Sequence, residues 1–151
     1  MLNEDKAMKE KKQEIHVQGT GGLSSFTFEV LPFPKDADPN IHVVDSVSAS
    51  NLSLKGFDLR FSRKISFEPA AIFEASVVFK ANITFEDDAG VKVLGSLDAV
   101  AAWVENNKVR IVNTFCYPCV ASNMLSNASL SAGFKPIITQ PTVILAQQLP
   151  K

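Results

Sequence analysis

Val77-Val78-Phe79-Lys80-Ala81-Asn82-Ile83-Thr84-Phe85 places Val77, Phe79, Ala81, Ile83 and Phe85 on one parity and Val78, Lys80, Asn82 and Thr84 on the other. Successive strand side chains point to opposite faces, so this run is a strand with one dry and one wet face, as in an antiparallel sheet covered on one side. Upstream, Phe57, Leu59, Phe61, Ile65 and Phe67 follow the same rule beyond Gly56, while Leu52 and Leu54 fall on the other parity, which predicts a strand with a bulge or bend at the glycine. Downstream, Asp87-Asp88-Ala89-Gly90 reads as a turn, and Val91, Val93, Leu97, Ala99, Ala101 and Trp103 as another alternating strand, ended by Asn106-Asn107. A short alternating segment, Ser25 to Val30, precedes Pro32, Pro34 and Pro39, which rule out regular ladder pairing around them. The expectation is a meander of about four antiparallel strands.

The dry face needs a cover, and the last 40 or so residues supply it. Pro118 suits a first helical turn, Val120, Met124, Leu125, Ala128 and Ala132 share one helical face, and Gly133 is the stop. The segment Phe134 to Pro141, with Pro136 inside it, reads as an extended apolar connector. Pro141 can open a last short helix carrying Val143, Ile144, Leu145 and Leu149. The class is therefore α+β, with two C-terminal helices on one face of the sheet.

A chain of 151 residues is the length of one domain. Residues 1–22 read as a charged flexible tail ending in the Gly-rich joint Gly19-Thr20-Gly21-Gly22, and residues 23–151 as the domain. A formal net charge of −1 provides no field to attract polyanions, so nucleic acid is not an expected partner. The opening MLNEDKAMKEKKQE mixes four lysines with four acids and has no apolar run behind it, which argues against a secretory signal or membrane span and makes the cytoplasm the default location. The sequons at Asn51, Asn82 and Asn127 are then read as chance, and Cys116 and Cys119 as thiols. Eleven phenylalanines stand against one tryptophan and one tyrosine, a surplus of aromatic surface with no polar handle.

Three features of the sequence bear on chemistry. Cys116-Tyr117-Pro118-Cys119 flanks a helix start, where a thiolate is favoured, so a thiol-disulfide oxidoreductase with Cys116 as nucleophile and Cys119 as resolving thiol is one reading. Against it, only 32 residues follow Cys119, the strands before it read as antiparallel, and Tyr117-Pro118 serves equally well to turn the chain from strand into helix. A structural zinc would need two close ligand pairs, whereas His16 and His42 lie 26 positions apart, so no metal or other cofactor is expected. The third feature is the connector itself: Phe134, Ile137 and Ile138 on an extended backbone either close the core or line a groove for a foreign chain. A non-catalytic oligomeric scaffold, whose apolar surface is consumed by its own interfaces, is the remaining alternative.

The stretch from Ser131 to Ile144, SAGFKPIITQPTVI, resembles the segment joining the two C-terminal helices of the SecB export-chaperone family; Tyr117-Pro118 matches the aromatic-proline pair opening that family's long helix, and Ile65-Ser66-Phe67-Glu68-Pro69 is similar to the close of its first strand. The resemblance covers roughly residues 52 to 149. It implies a four-stranded antiparallel sheet with two helices on one face, a dimer of dimers, and ATP-independent holding of unfolded preprotein or an antitoxin-like client in hydrophobic grooves. It implies groove walls at Phe134, Ile137, Ile138 and Ile144, over a floor of Phe57 and Phe61. The family's export branch docks the SecA translocation motor through paired acids on the sheet and an acidic, metal-linked tail. Glu68 matches one of those acids, Lys64 stands at the place of the other, and the sequence reads to Lys151 without such a tail, so SecA docking rests on Glu68.

Overall fold

The structure, a computed structural model, describes residues 14–32 and 38–144. Four strands, β1 (Val17–Val30), β2 (Asn40–Ser50), β3 (Gly56–Glu68) and β4 (Phe73–Phe85), form one antiparallel sheet in the order β1-β4-β3-β2. β2, β3 and β4 form a meander, of which β3 and β4 are expected strands, and β1 lies on the far edge of β4, which makes the sheet a Greek key. Two helices, α1 (Leu97–Thr114) and α2 (Tyr117–Ser131), complete the α+β fold.

The odd-numbered residues of β3 and β4 are buried, and the register sets Phe57 beside Ile83, Leu59 beside Ala81, Phe61 beside Phe79 and Ile65 beside Ala75. They form one core with Val100, Val104, Ile111 and Val112 of α1 and Ala121 and Leu125 of α2, so both helices cover the same sheet face. Each large side chain buried there contributes about 1.5–3 kcal/mol over leaving it in water. The even-numbered residues of β3 and β4 make the opposite, open face.

Several sequence expectations are corrected. Gly19 to Gly22 are not a joint; they lie within β1, where a Cβ on Gly21 would come 2.2 Å from the Lys80 carbonyl oxygen and one on Gly19 would come 2.7 Å from the Phe115 ring. These glycines permit close approach. A register shift between Leu23 and Ser25 then changes the inward parity, so that Phe26 and Phe28 pack against the core. β2 adds a strand the sequence pattern does not announce, because small residues dilute its alternation; its Val43, Asp45, Val47 and Ala49 lie beside Ile65, Arg63, Phe61 and Leu59 on the helix side.

The run from Val91 to Trp103 is not a strand. Glu86–Asp88 forms a 3-10 turn and Gly90–Leu94 a π turn, and α1 begins at Leu97, with Ala99 N–H donating to the Ser96 side chain at 3.2 Å. Ala99 and Ala101 suit either period, but Val100, Val104 and Ile111 mark a helical stripe. Both edges of β4 are also already occupied, by β1 and β3, which leaves no place beside it for the strand that follows in sequence. Leu52 and Leu54 lie in the bend before β3. Among the described residues the helices on the sheet are consequently α1 and α2; residues 141–144 are not helical, and the rest of the expected final helix lies outside the described residues.

Candidate functional site

Helix α2 ends as its residues require. Gly133 adopts φ +90°, its N–H donates to the Leu130 carbonyl at 3.0 Å, and Phe134 N–H donates to the Ser129 carbonyl at 2.9 Å. This Schellman closure turns the chain sharply out of the helix. The Phe134 ring then packs against Phe73 with centroids 5.6 Å apart, and Phe73 in turn meets Phe28 at 4.7 Å and Phe67 at 5.2 Å.

With prolines at 136 and 141, the connector has no regular ladder to satisfy its backbone, and scattered side chains do so instead. Ile137 N–H donates to Ser129 Oγ at 3.0 Å, Ser122 Oγ donates to the Thr139 carbonyl at 2.8 Å, and Val143 N–H donates to Asn113 Oδ1 at 2.9 Å. The largest anchor is Arg63, whose residue is 0% exposed. Its Nε and Nη2 donate to the two carboxylate oxygens of Asp45, both at 2.8 Å. Its Nη1 donates to Thr139 Oγ1 at 2.9 Å, the Gln140 carbonyl at 2.6 Å and the Pro118 carbonyl at 3.3 Å, and Nη2 also reaches the Thr142 carbonyl at 2.9 Å. Ile144 N–H closes the set on Asp45 Oδ2 at 2.8 Å.

The candidate groove residues separate into two groups. Ile138 is 89% exposed, and Phe134, Ile137 and Ile144 are half-buried. Phe57 and Phe61, expected as a floor, are sealed in the core at 2% and 0% exposure. Their parity sets them on the inward face, which the helices cover, and the aromatic group beneath Phe134 is Phe73 with Phe28 and Phe67. Glu68 is exposed at the end of β3, on the open sheet face that also carries Lys64. The apolar connector side chains and Glu68 are thus not brought together.

Sequence reasoning missed Arg63 and Asp45. A signal was present: each occupies the dry parity of its strand, Arg63 between Phe61 and Ile65, Asp45 between Val43 and Val47. A charge in the dry phase demands a buried partner.

Other features offer less chemistry. Pro118 lies in the first turn of α2, as expected, and Cys116 occupies the N-cap position at φ +61° without a side-chain capping bond; both cysteines are free thiols. Burial raises the Tyr117 phenol above its usual range. His16 precedes β1 and His42 lies in β2, at opposite edges of the sheet. A surface cavity of about 500 Å3 on the open face is lined by Asp58, Arg60, Lys80 and Asn82, and one of about 620 Å3 lies beside His16 and Trp103; neither is lined by the connector.

No family model matches the sequence, and no curated protein matches it. Among solved structures, the fold is similar to that of a SecB-like chaperone of Mycobacterium tuberculosis in complex with a peptide from the HigA1 antitoxin, at a TM-score of 0.57 and 15% identity over 95% of this chain and 98% of that one. This likeness shows a SecB-like fold. A protein of unknown function from Streptococcus agalactiae matches with a TM-score of 0.37 at 8% identity, over 84% of this chain and 98% of that one.

Proposed function

We propose that this chain is an ATP-independent holdase, a non-enzymatic chaperone that binds unfolded or extended polypeptide on its apolar connector. The observation that carries the reading is Ile138, a large aliphatic side chain 89% exposed on a backbone tied down on both sides, with Phe134 and Ile137 half-buried beside it. Exposed apolar groups on an ordered segment offer area to a client without the cost of ordering that segment first. The SecB-like fold shared with a chaperone solved with an antitoxin peptide supports a polypeptide client.

The contact surface is Phe134, Ile137, Ile138 and Ile144, backed at Phe134 by Phe73 with Phe28 and Phe67 and not by Phe57 and Phe61. At ~25 cal/mol per Å2, burying a few hundred Å2 of client contributes several kcal/mol before ordering costs, which suits weak, sequence-tolerant binding. The chemistry needs no nucleotide and no metal. Within the same reading the client is an unfolded preprotein or an antitoxin-like protein, the working form is a cytoplasmic homotetramer built as a dimer of dimers, the folded unit takes in β1 from Val17 and so starts before residue 23, and any SecA docking runs through Glu68.

A second reading is a non-catalytic oligomeric scaffold. The specific observation in its favour is that Leu23, Val120 and Leu130 are also exposed, at 51%, 43% and 58%, and could be consumed with Ile138 by contacts between copies. One experiment separates the two: light scattering gives the mass of the assembly, and the same sample is added to a chemically unfolded protein on dilution from denaturant. Slower client aggregation at stoichiometric amounts supports the holdase. A stable oligomer that leaves aggregation unchanged at tenfold excess overturns it.

A further inference from the structure

Arg63 spends all five guanidinium N–H groups inside the protein, and three of the acceptors, Thr139 Oγ1 and the carbonyls of Gln140 and Thr142, belong to the end of the connector and the residue just beyond it. Asp45 holds the guanidinium fork from β2 and takes the Ile144 N–H as well. A buried ion pair is a poor device for stability alone, because desolvation offsets its Coulomb attraction and apolar residues of similar volume serve as well. What the pair supplies is geometry. The segment around Pro141 has carbonyls that no ladder can satisfy, and a planar fork fixes them in position. Most of these contacts are to backbone atoms, so the clamp works whatever side chains the connector presents outward.

We infer that Arg63 and Asp45 are positioning residues for client binding: their buried pair clamps residues 139–144 onto the sheet and so presents Ile138 outward in a preformed conformation. The inference rests on the holdase reading. Ile138 lies between two tethers, Ile137 on Ser129 and Thr139 on Ser122 and Arg63, and its exposure is therefore that of a held side chain. Releasing the clamp lowers the population of the binding-competent connector, and apparent affinity falls by the same fraction.

The test is a full-length double variant, Arg63→Met with Asp45→Leu, which removes both charges and leaves neither partner stranded. Amide hydrogen exchange is measured alongside binding of a fluorescein-labelled apolar peptide. The expected result is unchanged protection in β3 and β4, at least about tenfold faster exchange at Ile137 and Val143, and a Kd raised about tenfold. These two amides are the telling ones because their acceptors, Ser129 and Asn113, are untouched by the substitutions. Unchanged protection at Ile137 and Val143 overturns the clamp; lost protection with an unchanged Kd overturns its role in binding. If wild-type protein binds no peptide, the holdase reading fails and positioning for a client fails with it, while the exchange data still show whether the pair holds the connector. Should the double variant lose its strand protection, Thr139→Val, which deletes one acceptor and keeps the ion pair, is expected to accelerate the same two amides by a smaller factor; no acceleration in that variant overturns the clamp.

Discussion

Phe134, the first residue beyond the Gly133 turn, lays its ring against Phe73 of β4 at a centroid distance of 5.6 Å and an interplanar angle of 38°. Phe73 is 1% exposed while Phe134 is half-buried, so one ring belongs to the core and the other bridges core and surface. Truncation should separate these roles. Phe73→Ala is expected to lower stability by about 3–5 kcal/mol, and Phe134→Ala by about half as much, in urea denaturation. If Phe134→Ala matches Phe73→Ala, Phe134 is an ordinary core residue.

Ile138 offers the cleaner functional substitution. Surface changes away from caps, cores and networks usually alter stability by no more than about 0.5 kcal/mol, so Ile138→Asp should leave the urea midpoint nearly unchanged. The same substitution should abolish suppression of client aggregation, because a carboxylate at the contact would have to be desolvated. A drop in oligomer mass with suppression retained would instead place Ile138 in an interface between copies.

At Gly133 no atom crowds the Cβ position, and the constraint is the φ of +90° alone. Gly133→Ala should therefore cost about 1–2 kcal/mol through the left-handed backbone. It should also loosen the Phe134 and Gly133 N–H bonds to the end of α2. Amide exchange at residues 133 and 134 measures this directly.

Asp58 gives a prediction in pH. Hydrogen bonds from Asn51 Nδ2 at 2.7 Å and Asn82 Nδ2 at 2.9 Å favour its ionised form and hold its carboxyl below the ordinary 3.8. A depressed folded-state pKa contributes stability that is present above the unfolded value and lost as pH falls through the folded one. Asn51→Ala should move the titration of Asp58 upward, toward 3.8, in carboxyl-carbon NMR. No shift would show that the hydrogen bond from Asn51 is not formed in solution.

Local signals were sufficient for β3, β4 and the ends of α2, since alternation from Phe57 to Phe67 and from Val77 to Phe85, Pro118 in a first turn and Gly133 as a stop each act within a few residues, but the buried face of α2 is Pro118, Ala121, Leu125 and Ser129, and Val120 of the expected stripe is exposed. The connector was legible for the same reason, its prolines forbidding both helix and ladder. Tertiary structure decided the rest. Val91 to Trp103 carries apolar residues that satisfy both periods, and occupation of both edges of β4 by β1 and β3 tells against the strand. Gly21 reads as a hinge until the Lys80 carbonyl is beside it. Arg63 and Asp45 lie 18 positions apart, and the donors and acceptors they satisfy come from residues 118 and 139–144. Their parity in the sequence says that each must be buried. Only the folded chain, by bringing orphaned connector carbonyls within reach of one guanidinium, says what the burial is for.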